Sequence, residues 1–362
     1  MSLLSNELYF VYNDAGNETI GKIDLNTNEY TKITDEFCAI GGIRVVQFGD
    51  RAILTLRASQ FDKPASLFGL DLSTKEVLQF ATSYDVQDLK GYISEHQYFT
   101  FPTRDGSSSY LYYYPPTNPD YTGLDGELPP CIVYCHGGPN ELARCGFDWE
   151  VQYVTSRGFA YVAVNYGGTP SFGKHHLERL DKLVGVVDVA DTCDAAKYLA
   201  SIGLVDRERL LVEGISAGGY ITNCCLMFEP DVFKAGCSSC GLSDMKIMVE
   251  NYKNHPLSSV GEPFYIDFYG GKPEDIPEVY YNRSPLNFTE KFKGSLLLTH
   301  AKDDKNVAYE HTQALYDRLK EAGKSVELLP FATGGHPFFD IPEMKAVIFE
   351  RKVPFYLESF TK

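Results

Sequence analysis

The chain has 362 residues, 44% of them hydrophobic and 14% aromatic, enough for one large core and a smaller one. Acidic residues outnumber basic ones 49 to 33, a net charge of −16 that disfavours nucleic acid and anionic membrane surfaces as partners. No run of about 18 apolar residues predicts a membrane span, and the opening Met1-Ser2-Leu3-Leu4-Ser5 lacks the basic and long apolar segments of a secretory signal.

The first hundred residues read as all-β. Strand-like runs at Leu8 to Tyr12, Ile43 to Phe48 and Arg51 to Leu56 are separated by glycine and aspartate turns. Ile23-Asp24-Leu25-Asn26-Thr27-Asn28-Glu29 is echoed 47 residues later by Leu70-Asp71-Leu72-Ser73-Thr74-Lys75-Glu76. A four-stranded propeller blade takes about 40–50 residues, so the echo predicts two blades, over residues 1–95. Two blades cannot close a propeller. The expectation is therefore that the chain belongs to a longer protein, or has lost most of its blades.

From residue 96 the pattern changes. Gln97 to Pro102 and Tyr110 to Tyr114 bracket a hairpin signal, Arg104-Asp105-Gly106. Strand-like runs then follow at Pro130 to Cys135, Gly158 to Asn165, Arg209 to Glu213, Ala235 to Ser238, Gly294 to Thr299 and Ser325 to Phe331. Helical segments lie between them, notably Val184 to Ser201 and His311 to Ala322. Strands alternating with helices predict a mostly parallel sheet covered on both faces, an α/β domain over 96–362.

Gly214-Ile215-Ser216-Ala217-Gly218-Gly219 lies between a strand-like and a helix-like run. A serine at such an apex is pushed out on a strained turn, with small residues on either side because strand and helix nearly collide: a nucleophile elbow. Serine needs a base, and the base a carboxylate. The α/β-hydrolase order of serine, acid, histidine is met by Ser216, by Asp303 or Asp304 after the strand Gly294 to Thr299, and by His336 after the strand Ser325 to Phe331. The other histidines lie before the serine, in an insertion after it, or at structural positions such as His300 beside the acid loop. Donors to a developing oxyanion are expected from the amide of Ala217 and from the loop His136-Gly137-Gly138-Pro139. Tyr166 and Tyr220 follow strands on the same face and are candidates for lining a substrate pocket, as is the aromatic run Phe264 to Tyr269. Nine scattered cysteines without a secretory signal read as reduced thiols of a cytoplasmic protein, and Cys237-Ser238-Ser239-Cys240, lacking a second pair, reads as neither redox motif nor metal site.

The motifs from Pro130 onward resemble the prolyl oligopeptidase family of serine peptidases, in particular its acylaminoacyl-peptidase and dipeptidyl-aminopeptidase-like branch. The resemblance rests on His136-Gly137-Gly138-Pro139, Ser156-Arg157-Gly158-Phe159, Asn165-Tyr166-Gly167-Gly168, Gly185-Val186-Val187-Asp188-Val189-Ala190-Asp191, the elbow, Arg283-Ser284-Pro285 and the two late loops. It implies an α/β-hydrolase fold preceded by a β-propeller that restricts access to short peptides. It implies Ser216 as nucleophile, His336 as base, Asp304 as acid with Asp303 next in line, and the Gly138 and Ala217 amides as the oxyanion hole. No metal or cofactor is implied, and the expected partner is a short peptide substrate, with homo-oligomerisation left open. Ala301, Ala308, Gly335 and Pro337 depart from the usual family loops without removing a catalytic group. The alternatives are a carboxylesterase or thioesterase on the same scaffold, or a catalytically inactive fragment or binding module.

Overall fold

The computed structural model describes residues 1–14, 16–253 and 258–361, with side chains described outside 252–262. Its first eight strands form two four-stranded antiparallel sheets. One runs β1 (Ser2–Leu4), β2 (Glu7–Asp14), β3 (Asn17–Asp24), β4 (Tyr30–Thr34) and the other β5 (Ala39–Phe48), β6 (Arg51–Ser59), β7 (Ser66–Asp71), β8 (Val77–Thr82), each in chain order. Leu54 and Leu56 alternate inward along β6 and join Tyr9, Ile20, Phe37, Phe68 and Leu70 in a common core.

The sequence repeat falls on the same turn in each sheet. Asp24 Oδ1 accepts the amides of Asn26 (2.8 Å) and Thr27 (3.3 Å), and Asp71 Oδ1 those of Ser73 (2.8 Å) and Thr74 (3.1 Å). The turn then closes through a residue at positive φ, Asn28 (59°) in one sheet and Lys75 (64°) in the other. The aspartate is needed because its short side chain satisfies the turn amides.

The remaining strands form one eight-stranded sheet: β9 (Gln97–Pro102), β10 (Ser108–Tyr114), β11 (Cys131–Cys135), β12 (Ala160–Asn165), β13 (Leu210–Ile215), β14 (Ala235–Ser239), β15 (Ser295–Ala301) and β16 (Ser325–Phe331). Their spatial order is β16-β15-β14-β13-β11-β12-β10-β9. The run β11, β13, β14, β15, β16 pairs in parallel throughout. These strands are apolar because both faces are covered: the helix Ala217–Phe228 packs on β13 and β14, Tyr309–Glu321 on β15 and β16, and Pro342–Ser359 on β14 and β15. The helix expected from Val184 begins at Val187, because Gly185 takes a φ of 77° that ends the preceding turn. Beneath the sheet's central strand, Glu213 is buried against Lys352 Nζ (3.1 Å) and Tyr356 Oη (2.7 Å) of the C-terminal helix.

By compactness the chain divides into two units, and the division is not a single cut near residue 95. The first unit comprises Met1–Phe99, Tyr112–Gly123 and Arg144–Tyr161, and the second Thr100–Leu111, Leu124–Ala143 and Val162–Lys362. Among the described residues no helix is long and apolar enough to cross a membrane.

Candidate active site

Parallel strands deliver their following loops to one edge of the sheet. Four of those loops meet here. β13 ends at Ile215 and the next residue, Ser216, has φ 58° and ψ −117° before the helix Ala217–Phe228 begins. The strain is held by crowding. A side chain at Gly214 would overlap the Gly218 carbonyl group and one at Gly218 the Cys135 carbonyl oxygen, while at Gly219 it would come within 2.8 Å of Gly241 Cα. Strand, helix and the loop after β11 are therefore in backbone contact around the serine.

Ser216 Oγ lies 3.1 Å from His336 Nε2, and His336 Nδ1 lies 2.7 Å from Asp304 Oδ2. With Nδ1–H donating to the carboxylate, Nε2 is left to accept the serine proton. The Asp304 side chain is fully buried and that of His336 is 20% exposed. Asp304 Oδ1 accepts the amides of Asn306 (2.8 Å) and Val307 (3.0 Å), and its Oδ2 also lies 3.2 Å from His300 Nε2. Burial pushes the Asp304 carboxyl up, but the hydrogen bonds from His300 and His336 outweigh it and hold the group well below the usual carboxylate range.

The loop after β11 lies against the serine. A side chain at Gly137 would come 3.2 Å from Ile215 O, 3.3 Å from Glu141 Oε2 and 3.8 Å from Ser216 Cβ. Gly138 is exposed at φ 113°, and Ala217 opens its helix, where a backbone amide has no partner within the helix. His136 is buried and kept neutral, its pKa lowered to about 4 by desolvation. Its Nε2 bonds with Thr169 Oγ1 (2.7 Å) and its ring stacks on Tyr166 at 4.1 Å.

The prolyl oligopeptidase family matches residues 145–362. The chain belongs to this family. The acylamino-acid-releasing enzyme of Arabidopsis thaliana is 27% identical over 221 residues, covering 59% of this chain and 28% of that protein. Two solved structures align over 98% of the chain. A Mycobacterium tuberculosis puromycin-hydrolyzing peptidase has TM-score 0.88 and 27% identity over 52% of its own length, and Pyrococcus horikoshii acylaminoacyl peptidase has TM-score 0.79 and 27% identity over 54% of its own. The chain thus spans about half the length of these structures, and less of the plant enzyme. Prolyl oligopeptidase relatives of this kind agree with the architecture of paired blade-like sheets and an α/β-hydrolase sheet.

Two expected pocket residues are placed otherwise. Tyr166 is fully buried, its hydroxyl within reach of the carbonyls of His136 (3.0 Å) and Pro139 (3.1 Å). It buttresses the glycine loop from within the protein. Tyr220 is 4% exposed and donates to the Arg283 carbonyl at 2.7 Å, against Gly185. Of the aromatic run, Phe264 and Phe268 stack at 5.3 Å while Tyr269 is buried on Tyr280. His300, expected as a structural residue beside the acid loop, touches the acid itself, and Asp303, the next in line as acid, accepts the Gly335 amide at 2.8 Å; Glu141, which flanks the glycine loop, escaped the motif reading. The doubled acid in Asp303-Asp304 was the available signal for Asp303.

Proposed function

We propose that the chain is a serine peptidase that cleaves short peptides or aminoacyl amides through an acyl-enzyme on Ser216. The observation that carries this reading is the unbroken hydrogen-bond path Asp304–His336–Ser216 ending on a strained elbow. Ser216 attacks the scissile carbonyl as His336 takes its proton, the Gly138 and Ala217 amides hold the oxyanion, and His336 returns the proton to the leaving amine. Water, activated by the same imidazole, then releases the acyl group. Asp304 stays ionised and supports the imidazolium.

A free N-terminus is favoured over a blocked one. Glu141 is exposed and brings a carboxylate oxygen to the glycine that also faces Ser216. A carboxylate there attracts an α-ammonium group and gives an acetylated amine nothing. The test is kcat/KM on free and N-acetylated aminoacyl naphthylamides and on the matching esters, with Ser216→Ala as blank. Serine-dependent amide cleavage supports the peptidase, and ester-only turnover overturns it. Glu141→Gln is expected to lower the free-to-acetylated ratio by about 10- to 100-fold. An unchanged ratio removes Glu141 from substrate recognition.

A further inference from the structure

The first unit contains a second constellation that the proposed hydrolysis does not use. Cys38 precedes β5, His96 precedes β9 and Cys145 lies between β11 and the helix Trp149–Thr155. Both thiol sulfurs and one ring nitrogen of His96 lie within 4.8 Å of one another. Cys145 is fully buried and Cys38 is 9% exposed. Both are free thiols. The His96 ring is half-buried between Tyr112 and Tyr114, and its Nδ1 is buried with no hydrogen-bond partner.

We propose that Cys38, His96 and Cys145 form a binding site for a thiophilic divalent cation of the zinc class. Two thiolates and an imidazole are the donor set that zinc prefers, and a tetrahedral ion with bonds of about 2.0–2.3 Å spaces its ligands roughly 3.5–3.8 Å apart. The three donors need draw together by about 1.3 Å at most. Water entering on the half-exposed side of His96 takes the fourth position. The surroundings suit a cation. Asp62 and Glu95 act on Cys38, and Glu18, paired with Arg144, acts on Cys145, a negative field that favours a cation. The Cys145 S–H points to the carbonyl oxygens of Cys38 (3.4 Å) and Gly16 (3.5 Å). Binding releases the thiol protons as the sulfurs become ligands. The ion would fasten the segment Arg144–Tyr161 to Met1–Phe99 within their unit.

The experiment uses the full chain, reduced and stripped with a chelator, then titrated with Co²⁺ and back-titrated with Zn²⁺. One equivalent of cobalt is expected to give thiolate-to-cobalt charge-transfer absorption and the intense d–d bands of a tetrahedral site. Cys38→Ser and Cys145→Ser each weaken binding by on the order of 100-fold or more, and His96→Ala shifts the d–d bands. Cys240→Ser is the control, because Cys240, Asp304 and His336 also lie within 4.8 Å of one another. A spectrum lost in Cys240→Ser and kept in Cys38→Ser overturns the proposal, as does the absence of charge-transfer absorption. Should the serine variants fail to fold, alkylation of the wild-type thiols with and without Zn²⁺ decides. Protection confined to Cys38 and Cys145 supports the site, and no protection of either rejects it.

Discussion

Asp303 and Asp304 hold neighbouring residues of a single loop: Asp303 Oδ1 accepts the Gly335 amide at 2.8 Å, and Asp304 Oδ2 accepts from His336 Nδ1 at 2.7 Å. One acid fixes the backbone that carries the imidazole and the other fixes the imidazole. Their substitutions should therefore differ in kind. Asp304→Asn leaves the shape and forces the wrong tautomer, lowering kcat by about 10⁴-fold. Asp303→Asn loosens the loop and lowers kcat by about 10- to 100-fold through misplacement. Steady-state kinetics of both variants check the assignment, and the reverse ranking would exchange the roles.

On acidification the rate should fall with a single ionisation. The Asp304 carboxyl is held well below the usual carboxylate range, so it stays charged as the pH falls from neutrality. A protonated imidazole cannot accept the serine proton. A kcat/KM profile whose acid limb has unit slope on logarithmic axes is expected. A limb of slope two would place a second titrating group in the site.

Asp188 gives stability the opposite pH sense. It is fully buried at the start of the helix Val187–Ser201, one carboxylate oxygen lacks a partner, and burial pushes its pKa up to about 7. Its unfolded value is about 3.9. Its contribution is thus full below about pH 4 and is lost as pH rises towards 7, on the order of 4 kcal/mol in all. His136 and His311, kept neutral by burial, act in the reverse direction, so the readout is wild type against Asp188→Asn. The variant should gain relative stability as pH rises from about 4 to 7 in urea unfolding. Parallel pH curves would contradict this.

The buried pair Glu213–Lys352 ties the C-terminal helix to the strand that leads into the elbow. Lys352→Ala leaves the buried carboxylate without its cation, though still bonded by Tyr356, and should cost about 3–5 kcal/mol. Glu213→Leu with Lys352→Met should recover most of that loss. Denaturant midpoints of the single and double variants measure it, and additive losses would mean that no coupling exists.

Ser216, the acid pair and His336 could be found in the sequence because each follows an apolar run in a fixed chain order. The repeat at Asp24 and Asp71 was readable because a turn is local chemistry. Side-chain direction was not. Tyr166 and Tyr220 follow the right elements, yet their rings turn into the protein, since position after a strand leaves the rotamer open. Cys38, His96 and Cys145 come from three separate segments with no characteristic spacing, so only folding brings them together. The conspicuous Cys237-Ser238-Ser239-Cys240 spacing falls on two buried cysteines at the end of β14.

The interleaving of the two units governs the order in which the chain can be built. The strands β1 to β8 leave the ribosome before the eight-stranded sheet, yet their unit also needs Tyr112–Gly123 and Arg144–Tyr161. Nascent chains generally fold domain by domain from the N-terminus. Here the first unit cannot close until Tyr161 has emerged, and by then two stretches of the second unit are already outside. The first unit can thus close only over stretches of an unfinished second unit, and a nascent chain stalled before Arg144 should remain protease-sensitive throughout.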